Sequence, residues 1–142
     1  ISWRRIMINF KGYVSSRKMN DQNFIDQSVQ NLVIKKNCEN RKFNYLLSSV
    51  EYKMNNCYLM LNELLIDLKK NKFDGIAFFS LEQLPKDFFL QKNVIHVVNL
   101  KKKLFFSTEN LLIENKKDLI EGKNLIKIQS VLKFCPKSLD LN

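Results

Sequence analysis

The chain has 142 residues, of which 45% are hydrophobic, and it carries a formal net charge of +10 at pH 7. This length and apolar content suffice for one domain with a buried core, which excludes a disordered protein. The positive charge comes mostly from lysines spread along the chain, so on this ground we do not expect nucleic acid as the partner.

Cysteine usage and hydropathy bear on the compartment. The three cysteines, Cys38, Cys57 and Cys135, form no CxxC pair, a pattern typical of a reducing cytoplasm without disulfides or a zinc site. No apolar run reaches the roughly 18 residues of a membrane span, and no signal peptide is visible. GxGxxG and GxxxxGK[ST] are absent as well. We therefore expect a cytoplasmic protein without a membrane span, metal or cofactor.

Strand and helix patterns alternate in the first half of the chain. Residues 1–6 precede a methionine and a strand pattern, and we interpret them as an upstream extension or a vector remnant. Alternation of apolar and polar residues indicates strands, and apolar spacings of three and four indicate helices. The predicted elements are a strand over 7–13, a helix ending near 40, a strand over 43–47 and a helix over 58–68.

The most apolar run, Phe73 to Ser80, predicts a strand buried on both faces, as in the middle of a parallel sheet. Less regular patterns follow it. They predict a loop over 81–85, a short helix over 86–91, a strand over 94–98, strands over 104–106 and 111–113, and a helix over 118–134 interrupted near Gly122. The two short strands could instead form one edge hairpin.

The order of these elements predicts the fold class. Strands alternating with helices favour an α/β fold with an open, mainly parallel sheet in three layers, resolvase-like or flavodoxin-like, with a C-terminal strand pair and helix. We expect a single domain over 7–135 and a loose tail over 136–142. Ligands bind such sheets beyond the carboxyl ends of the strands. Polar loops are predicted there at 15–17, 48–52 and 80–83.

Part of the sequence resembles the catalytic domain of serine recombinases. The resemblance covers residues 11–85 and rests on Gly12-Tyr13-Val14-Ser15-Ser16, on glutamines 22 and 27, and on a strand that ends in Ser80-Leu81. It implies the fold. In that family the first loop carries an arginine, one residue and then the nucleophilic serine, whereas here Arg17 follows the serines. The family's arginines after strand two are missing from 54–58, so we do not expect strand exchange.

A second resemblance implies a different function. The segments that carry it are Gly12 to Arg17, Gln30 to Ile34, Ser48 to Tyr52, Cys57-Tyr58, Asp74-Gly75-Ile76, Ser80-Leu81 and Leu84-Pro85. They are similar to the sporadic carbohydrate cluster family, small bacterial proteins encoded among genes for surface polysaccharide synthesis. The resemblance spans about residues 11–90 and implies a role in lipopolysaccharide or capsule synthesis. It implies no settled reaction, so whether the protein is an enzyme stays open.

The first polar loop is the leading candidate for a binding site. Ser15, Ser16 and Arg17 follow the first strand, where hydroxyls, a guanidinium and backbone N–H groups can hold an anion. Arg17 would bind a phosphate or carboxylate by paired hydrogen bonds; the alternative is a solvated surface residue. A nucleophilic serine needs a neighbouring base, and none is evident nearby, so we predict anion contact for both serines.

The second loop supplies the catalytic candidates Glu51, Tyr52 and Cys57. Glu51 could be a general base or accept hydrogen bonds from sugar hydroxyls, and Tyr52 could stack on a sugar ring or act as an acid. The alternative is a surface glutamate beside a packed tyrosine. Cys57 lies at a predicted helix N-terminus, where the dipole lowers the pKa of a thiol; a small apolar capping residue is the alternative.

The third loop adds Ser80 and Glu82, which follow the buried strand and are predicted to contact the ligand. His96 is the sole histidine and lies in an apolar run, which favours a core or edge position over a catalytic base. One histidine without a carboxylate cluster at ligand spacing predicts no metal site.

These features predict a protein of bacterial surface-glycan synthesis that binds a phosphorylated or nucleotide-linked sugar after strands one to three. Ser15, Ser16 and Arg17 would hold the phosphate. Glu51 and Tyr52 would face the sugar. The alternatives are a non-catalytic partner of a glycan-pathway enzyme and a degenerate recombinase relative that binds nucleic acid. A homodimer is expected because small sheets with hydrophobic edges often dimerise.

Overall fold

The computed structural model describes residues 8–15, 25–51, 58–85 and 88–122. The strands are β1 (Asn9–Ser15), β2 (Asn44–Glu51), β3 (Gly75–Phe78), β4 (Lys103–Phe106) and β5 (Leu111–Ile113). The helices are α1 (Gln27–Asn40), α2 (Leu59–Lys69) and α3 (Phe88–His96), with 3-10 helices at Leu81–Gln83 and Val97–Leu100. Residues 116–122 are also helical.

The strands form one sheet in the order β2-β1-β3-β4-β5. β2, β1, β3 and β4 are parallel to one another, and β5 is antiparallel to β4. This confirms the predicted α/β fold with a mainly parallel sheet. The carboxyl ends of β2, β1, β3 and β4 consequently share one edge, which we call the carboxyl edge.

Side chains of the central strands alternate between two buried clusters. Tyr13, Ile76 and Phe78 belong to the cluster that includes the apolar face of α2. Phe10, Val14, Ala77 and Phe105 belong to the other, with Ile34 and Cys38 from α1. The two helices therefore cover opposite faces of the sheet. Among the helices of the described ranges, none has the length and apolar content to cross a membrane.

β2 contains one extra residue relative to β1. Between successive pairs the register advances from Lys11 to Tyr13 in β1 but from Leu46 to Ser49 in β2, which is a β-bulge. Regular alternation from Leu46 would turn Glu51 to the opposite face. The extra residue instead aligns Glu51 with the end of β1, on the same face as Tyr13.

Two glycines allow close packing on the sheet. A Cβ on Gly12 would overlap the hydroxyl of Tyr45, which packs against that point of β1. A Cβ on Gly75 would lie 2.6 Å from the carbonyl oxygen of Lys103 and 2.5 Å from the Phe10 ring. β3 can therefore pair with β4 at this spacing only because its first residue has no side chain.

The strand predicted over 94–98 is wrong, because these residues complete α3 and enter the 3-10 helix. Val94, Val97 and Val98 are buried, a spacing of three and four that belongs to a helix. His96, expected in the core or at a sheet edge, is exposed at the end of α3. Residues 48–51, expected in a loop, extend β2. Residues 1–7 and 123–142, with most of the last predicted helix, lie outside the described residues.

Candidate functional site

Buried polar side chains collect at the carboxyl edge. Ser15 and Glu51 end β1 and β2, Ser80 follows β3, and Ser107 follows β4; each is at most 5% exposed. The buried amides of Gln30 and Gln83 reach the same edge from α1 and from the 3-10 helix after β3. These six side chains are the buried polar ones of the described ranges, and they lie where ligands bind parallel α/β sheets.

Gln30 holds the end of β1. Its Oε1 accepts from the backbone N–H of Ser15 at 3.2 Å, and its Nε2 donates to the Ser15 carbonyl at 2.7 Å. The same Nε2 donates to the carbonyl of Ile25 at 2.8 Å, just before α1. One side chain therefore bonds both described residues that flank the segment 16–24.

Gln83 joins this arrangement to the end of β3. Its Oε1 accepts from the backbone N–H of Phe79 at 2.7 Å, and its Nε2 donates to Gln30 Oε1 at 2.7 Å. No sequence pattern predicts this pair, because a glutamine in a helix or a turn is usually solvated. Only the tertiary contact shows that both amides are buried and bonded.

Glu51 supports the beginning of α2. Its carboxylate accepts from the backbone N–H groups of Met60 at 3.1 Å and Leu61 at 3.2 Å, and from the hydroxyl of Tyr13 at 2.8 Å. The N-cap residue of α2, Tyr58, makes no side-chain capping bond, so this more distant carboxylate caps the helix. The side chain is 2% exposed. Its predicted catalytic role stays a prediction.

Ser80 and Glu109 stabilise the turn after β3. Ser80 Oγ accepts from the backbone N–H of Glu82 at 3.2 Å and donates to Glu109 Oε2 at 3.0 Å. Glu109 Oε1 accepts from the backbone N–H of Leu81 at 3.1 Å. Glu109 was not predicted from the sequence, because it lies in the turn between β4 and β5. Ligand contact by Ser80 and Glu82 remains untested by this geometry.

The helix N-termini at the carboxyl edge differ in how they are neutralised. Glu51 faces the first turn of α2, and Glu109 faces the start of the 3-10 helix. The first turn of α1 contains no acidic residue, and the side chain of its N-cap residue, Asp26, makes no capping hydrogen bond. Within the described residues, the N-terminus of α1 therefore receives no capping hydrogen bond from a carboxylate, in contrast to that of α2.

The structure brings some of the predicted residues together. Ser15 and Glu51 are register partners at the ends of adjacent strands, and Ser80 follows the next strand, so the three predicted loops begin at one edge. Ser16, Arg17, Tyr52 and Cys57 lie outside the described residues. His96 lies at the exposed end of α3. No group of three or more potential metal ligands occurs among the residues that the structure describes.

Two groups away from this edge, the buried Cys38 and the half-buried Tyr45, have raised pKa values. Burial, and secondarily the charge of Glu39, raises the pKa of the Cys38 thiol to about 12. Burial raises the pKa of Tyr45 to about 12 as well, and its hydroxyl donates to Asn31 Oδ1 at 2.5 Å. Both groups are neutral at physiological pH. This is consistent with a role in packing between α1 and the sheet.

The fold defines a class: a mainly parallel α/β domain with a buried polar cluster at the carboxyl edge of its sheet. Among solved structures, the N-terminal catalytic domain of TP901-1 integrase is similar to this chain, with a TM-score of 0.58 and 13% identity. The match covers 85% of this chain and 95% of that domain. At this identity the likeness shows the fold alone, and it supports the resemblance to serine recombinases.

Sequence comparisons add no closer relationship. No family model matches the chain, and no curated protein matches it. The resemblance to the sporadic carbohydrate cluster family therefore has no support beyond the residues that suggested it.

Proposed function

We propose that the protein binds a phosphate-bearing ligand at the carboxyl edge, through the segment that follows β1. The observation that carries this proposal is the difference between the helix N-termini there. Buried Glu51 and half-buried Glu109 already occupy the anion positions after β2 and β3. The N-terminus of α1 has no such carboxylate within the described ranges, and helix N-termini favour anions.

The residue types before α1 suit a phosphate. Ser15 and Ser16 would donate hydrogen bonds, and Arg17 would form the paired bonds that a planar guanidinium makes with phosphate oxygens. Ser80, Glu82, Tyr52 and Cys57 would contact the remainder of the ligand. The hydrogen bonds of Glu51 favour a supporting role for it, in which it fixes α2 beside the site.

The phosphate group could belong to either of two classes of ligand. A phosphorylated or nucleotide-linked sugar follows from the carbohydrate-cluster resemblance. A phosphodiester of nucleic acid is favoured by the fold similarity to the integrase catalytic domain. Both present tetrahedral oxyanions to the same loop, and either would be compatible with binding alone or with a reaction.

Binding assays with separate ligands distinguish these sources. Thermal shift and calorimetry would use inorganic phosphate, a set of sugar phosphates and nucleotide sugars, and a short oligonucleotide at two salt concentrations. We expect Arg17→Ala to weaken binding by about tenfold to a hundredfold, because hydrogen bonds to charged groups contribute roughly 1.5–3 kcal/mol. Arg17→Lys keeps the charge but cannot form the paired hydrogen bonds. Its affinity should therefore lie between those of the wild type and Arg17→Ala.

Lys70→Ala is the matched control. This substitution also removes one positive charge, but from an exposed lysine at the end of α2 that lies away from the carboxyl edge. Equal loss of affinity in Lys70→Ala and Arg17→Ala would show that only net charge matters. Absence of binding in every ligand arm would refute the proposal.

A further inference from the structure

Backbone pairing between β1 and β3 stops at the last residue of β3, while β1 continues from Tyr13 to Ser15 at the candidate site. The last paired residues are Tyr13 and Phe78. Beyond them, the connection between Ser15 and Phe79 runs through two side chains: Ser15 bonds Gln30, Gln30 bonds Gln83, and Gln83 bonds the backbone of Phe79. Two amides therefore continue the link between the strands where the main chains no longer pair.

The side-chain amide of Gln30 makes all four hydrogen bonds that it can form. Its two N–H groups donate to Ser15 and Ile25, and its carbonyl oxygen accepts from Ser15 and Gln83. Gln30 is 0% exposed and Gln83 is 3% exposed. An amide with all four positions bonded inside the protein has one orientation only, so it fixes the position of its neighbours.

The bond between the two glutamines is not needed to satisfy the backbone. Ser15 already bonds Gln30, and Phe79 already bonds Gln83. What the Gln83–Gln30 bond adds is a fixed relation between the end of β1 and the turn after β3. That relation joins Ser15 to the residue directly before Ser80, and both serines are predicted to lie in the site.

We propose that Gln30 and Gln83 are positioning residues that couple the phosphate-contacting end of β1 to the turn after β3. This inference rests on the proposed function for its ligand, but the coupling itself is a property of the protein alone. Displacing Gln83 should move Gln30, and through it Ser15, without removing any group that touches the ligand.

The substitution Gln83→Glu tests the coupling. One carboxylate oxygen can still accept from Phe79, but the other replaces the amide N–H₂ and places a negative oxygen against Gln30 Oε1. At acidic pH the protonated carboxyl regains an O–H that can donate to Gln30. The variant is therefore a switch: the bond is lost at neutral pH and restored by protonation.

Two readouts follow this switch. We expect exchange of the Ser15 amide hydrogen, measured by NMR, to accelerate about fivefold or more in Gln83→Glu at neutral pH, and to return toward the wild-type rate near pH 5. Affinity for sulfate, a tetrahedral anion of constant charge over this range, should fall and recover in parallel.

Asn37→Asp is the matched control. Asn37 lies on the same helix, and its amide donates to the carbonyl of Ser107 at 3.3 Å without touching Ser15. The substitution makes the same amide-to-carboxylate change, and it should leave both readouts unchanged. If Gln83→Glu is too unstable to study, Gln83→Met removes the bond without adding charge.

The outcomes separate the two proposals. Faster Ser15 exchange in Gln83→Glu, together with no wild-type binding of sulfate or of any phosphate-bearing ligand in the binding assays, would support the coupling and refute the proposed function. Unchanged Ser15 exchange in Gln83→Glu and Gln83→Met would overturn the coupling, whatever the ligand result. Equal acceleration in Asn37→Asp would also overturn it, because the effect would then be general destabilisation.

Discussion

The hydroxyl of Tyr13 donates a 2.8 Å hydrogen bond to the buried carboxylate of Glu51, 38 residues further along the chain. The bond joins the ends of two adjacent parallel strands at the carboxyl edge. The same carboxylate accepts from the first turn of α2. The hydrogen bond between Tyr13 and Glu51 can form because the bulge in β2 turns Glu51 to the face of the sheet that carries Tyr13.

We expect Glu51→Ala to lower the free energy of unfolding by about 2–4 kcal/mol, because it leaves buried donors without an acceptor. Tyr13→Phe removes one donor and should cost about 1 kcal/mol. Urea unfolding measures both, with Glu63→Ala, an exposed position on α2, as the control. A Glu51→Ala variant as stable as the control would contradict the capping role.

The two close-packed glycines give a graded prediction. Gly75→Ala places its methyl group against the backbone of Lys103, which cannot move without separating β3 from β4. In Gly12→Ala the atoms nearest to the new methyl group belong to the side chain of Tyr45. We therefore expect both to be destabilising by about 1–3 kcal/mol as overpacked sites, with Gly75→Ala the worse.

A double-mutant comparison checks the cause at Gly12. Adding Tyr45→Leu should recover part of the cost of Gly12→Ala, measured as a non-additive change in unfolding free energy. The same Tyr45→Leu change should not rescue Gly75→Ala. Strict additivity for Gly12 and Tyr45 would exclude the steric explanation.

Left-handed residues precede three of the parallel strands. Lys42, Asn71 and Lys101 have φ of 62°, 62° and 64° and lie before β2, β3 and β4. A side chain at such a φ is strained relative to glycine. We expect Lys42→Gly and Lys101→Gly each to raise stability by up to about 1 kcal/mol.

Lys70→Gly is the control for this prediction. Lys70 is the C-cap of α2 with φ of −83°, where glycine relieves no strain and adds freedom to the unfolded chain. Thermal unfolding should therefore show a lower Tm for Lys70→Gly and a higher Tm for Lys101→Gly. Lower stability in all three variants would mean that the lysine side chains themselves stabilise these turns.

The raised pKa values of Cys38 and Tyr45 predict alkaline sensitivity. Burial raises the pKa of Cys38 from 9.0, and that of Tyr45 from 10.0, to about 12. The unfolded chain therefore loses these protons at lower pH than the folded protein, so stability is fully present below about pH 9 and falls as pH rises toward 12.

Urea midpoints at increasing alkaline pH measure this loss. Each group contributes a slope of at most about 1.4 kcal/mol per pH unit. Cys38→Ala and Tyr45→Phe should each flatten the alkaline decline relative to the wild type, even though each lowers stability at neutral pH. An unchanged decline in both variants would argue against the raised pKa values. Native Cys38 should also resist alkylation until denaturant is added.

Local sequence pattern predicted the order of most elements. Helices α1 and α2 and strands β1 to β3 were expected near their observed positions, since amphipathic spacing is a property of neighbouring residues. The α/β fold with a parallel sheet follows from that order. The strand predicted over 94–98 is wrong, because a short stretch rich in β-branched residues resembles a strand even when its buried residues have helical spacing.

The candidate site could be predicted only as a place. Strand ends identified Ser15, Glu51 and Ser80 as residues of one edge, because parallel strands bring their carboxyl ends together. Their partners could not be predicted. The Glu51 contacts depend on a one-residue bulge, and those of Ser80 on a glutamate in a later turn.

The amino-acid sequence by itself determined most of the helices and strands and the edge of the sheet that is polar, because both depend on residues close together in the chain. Only the tertiary structure decided that Gln30 and Gln83 are joined and that Glu51 faces α2. These contacts link residues tens of positions apart, and strand order, register and twist bring them together.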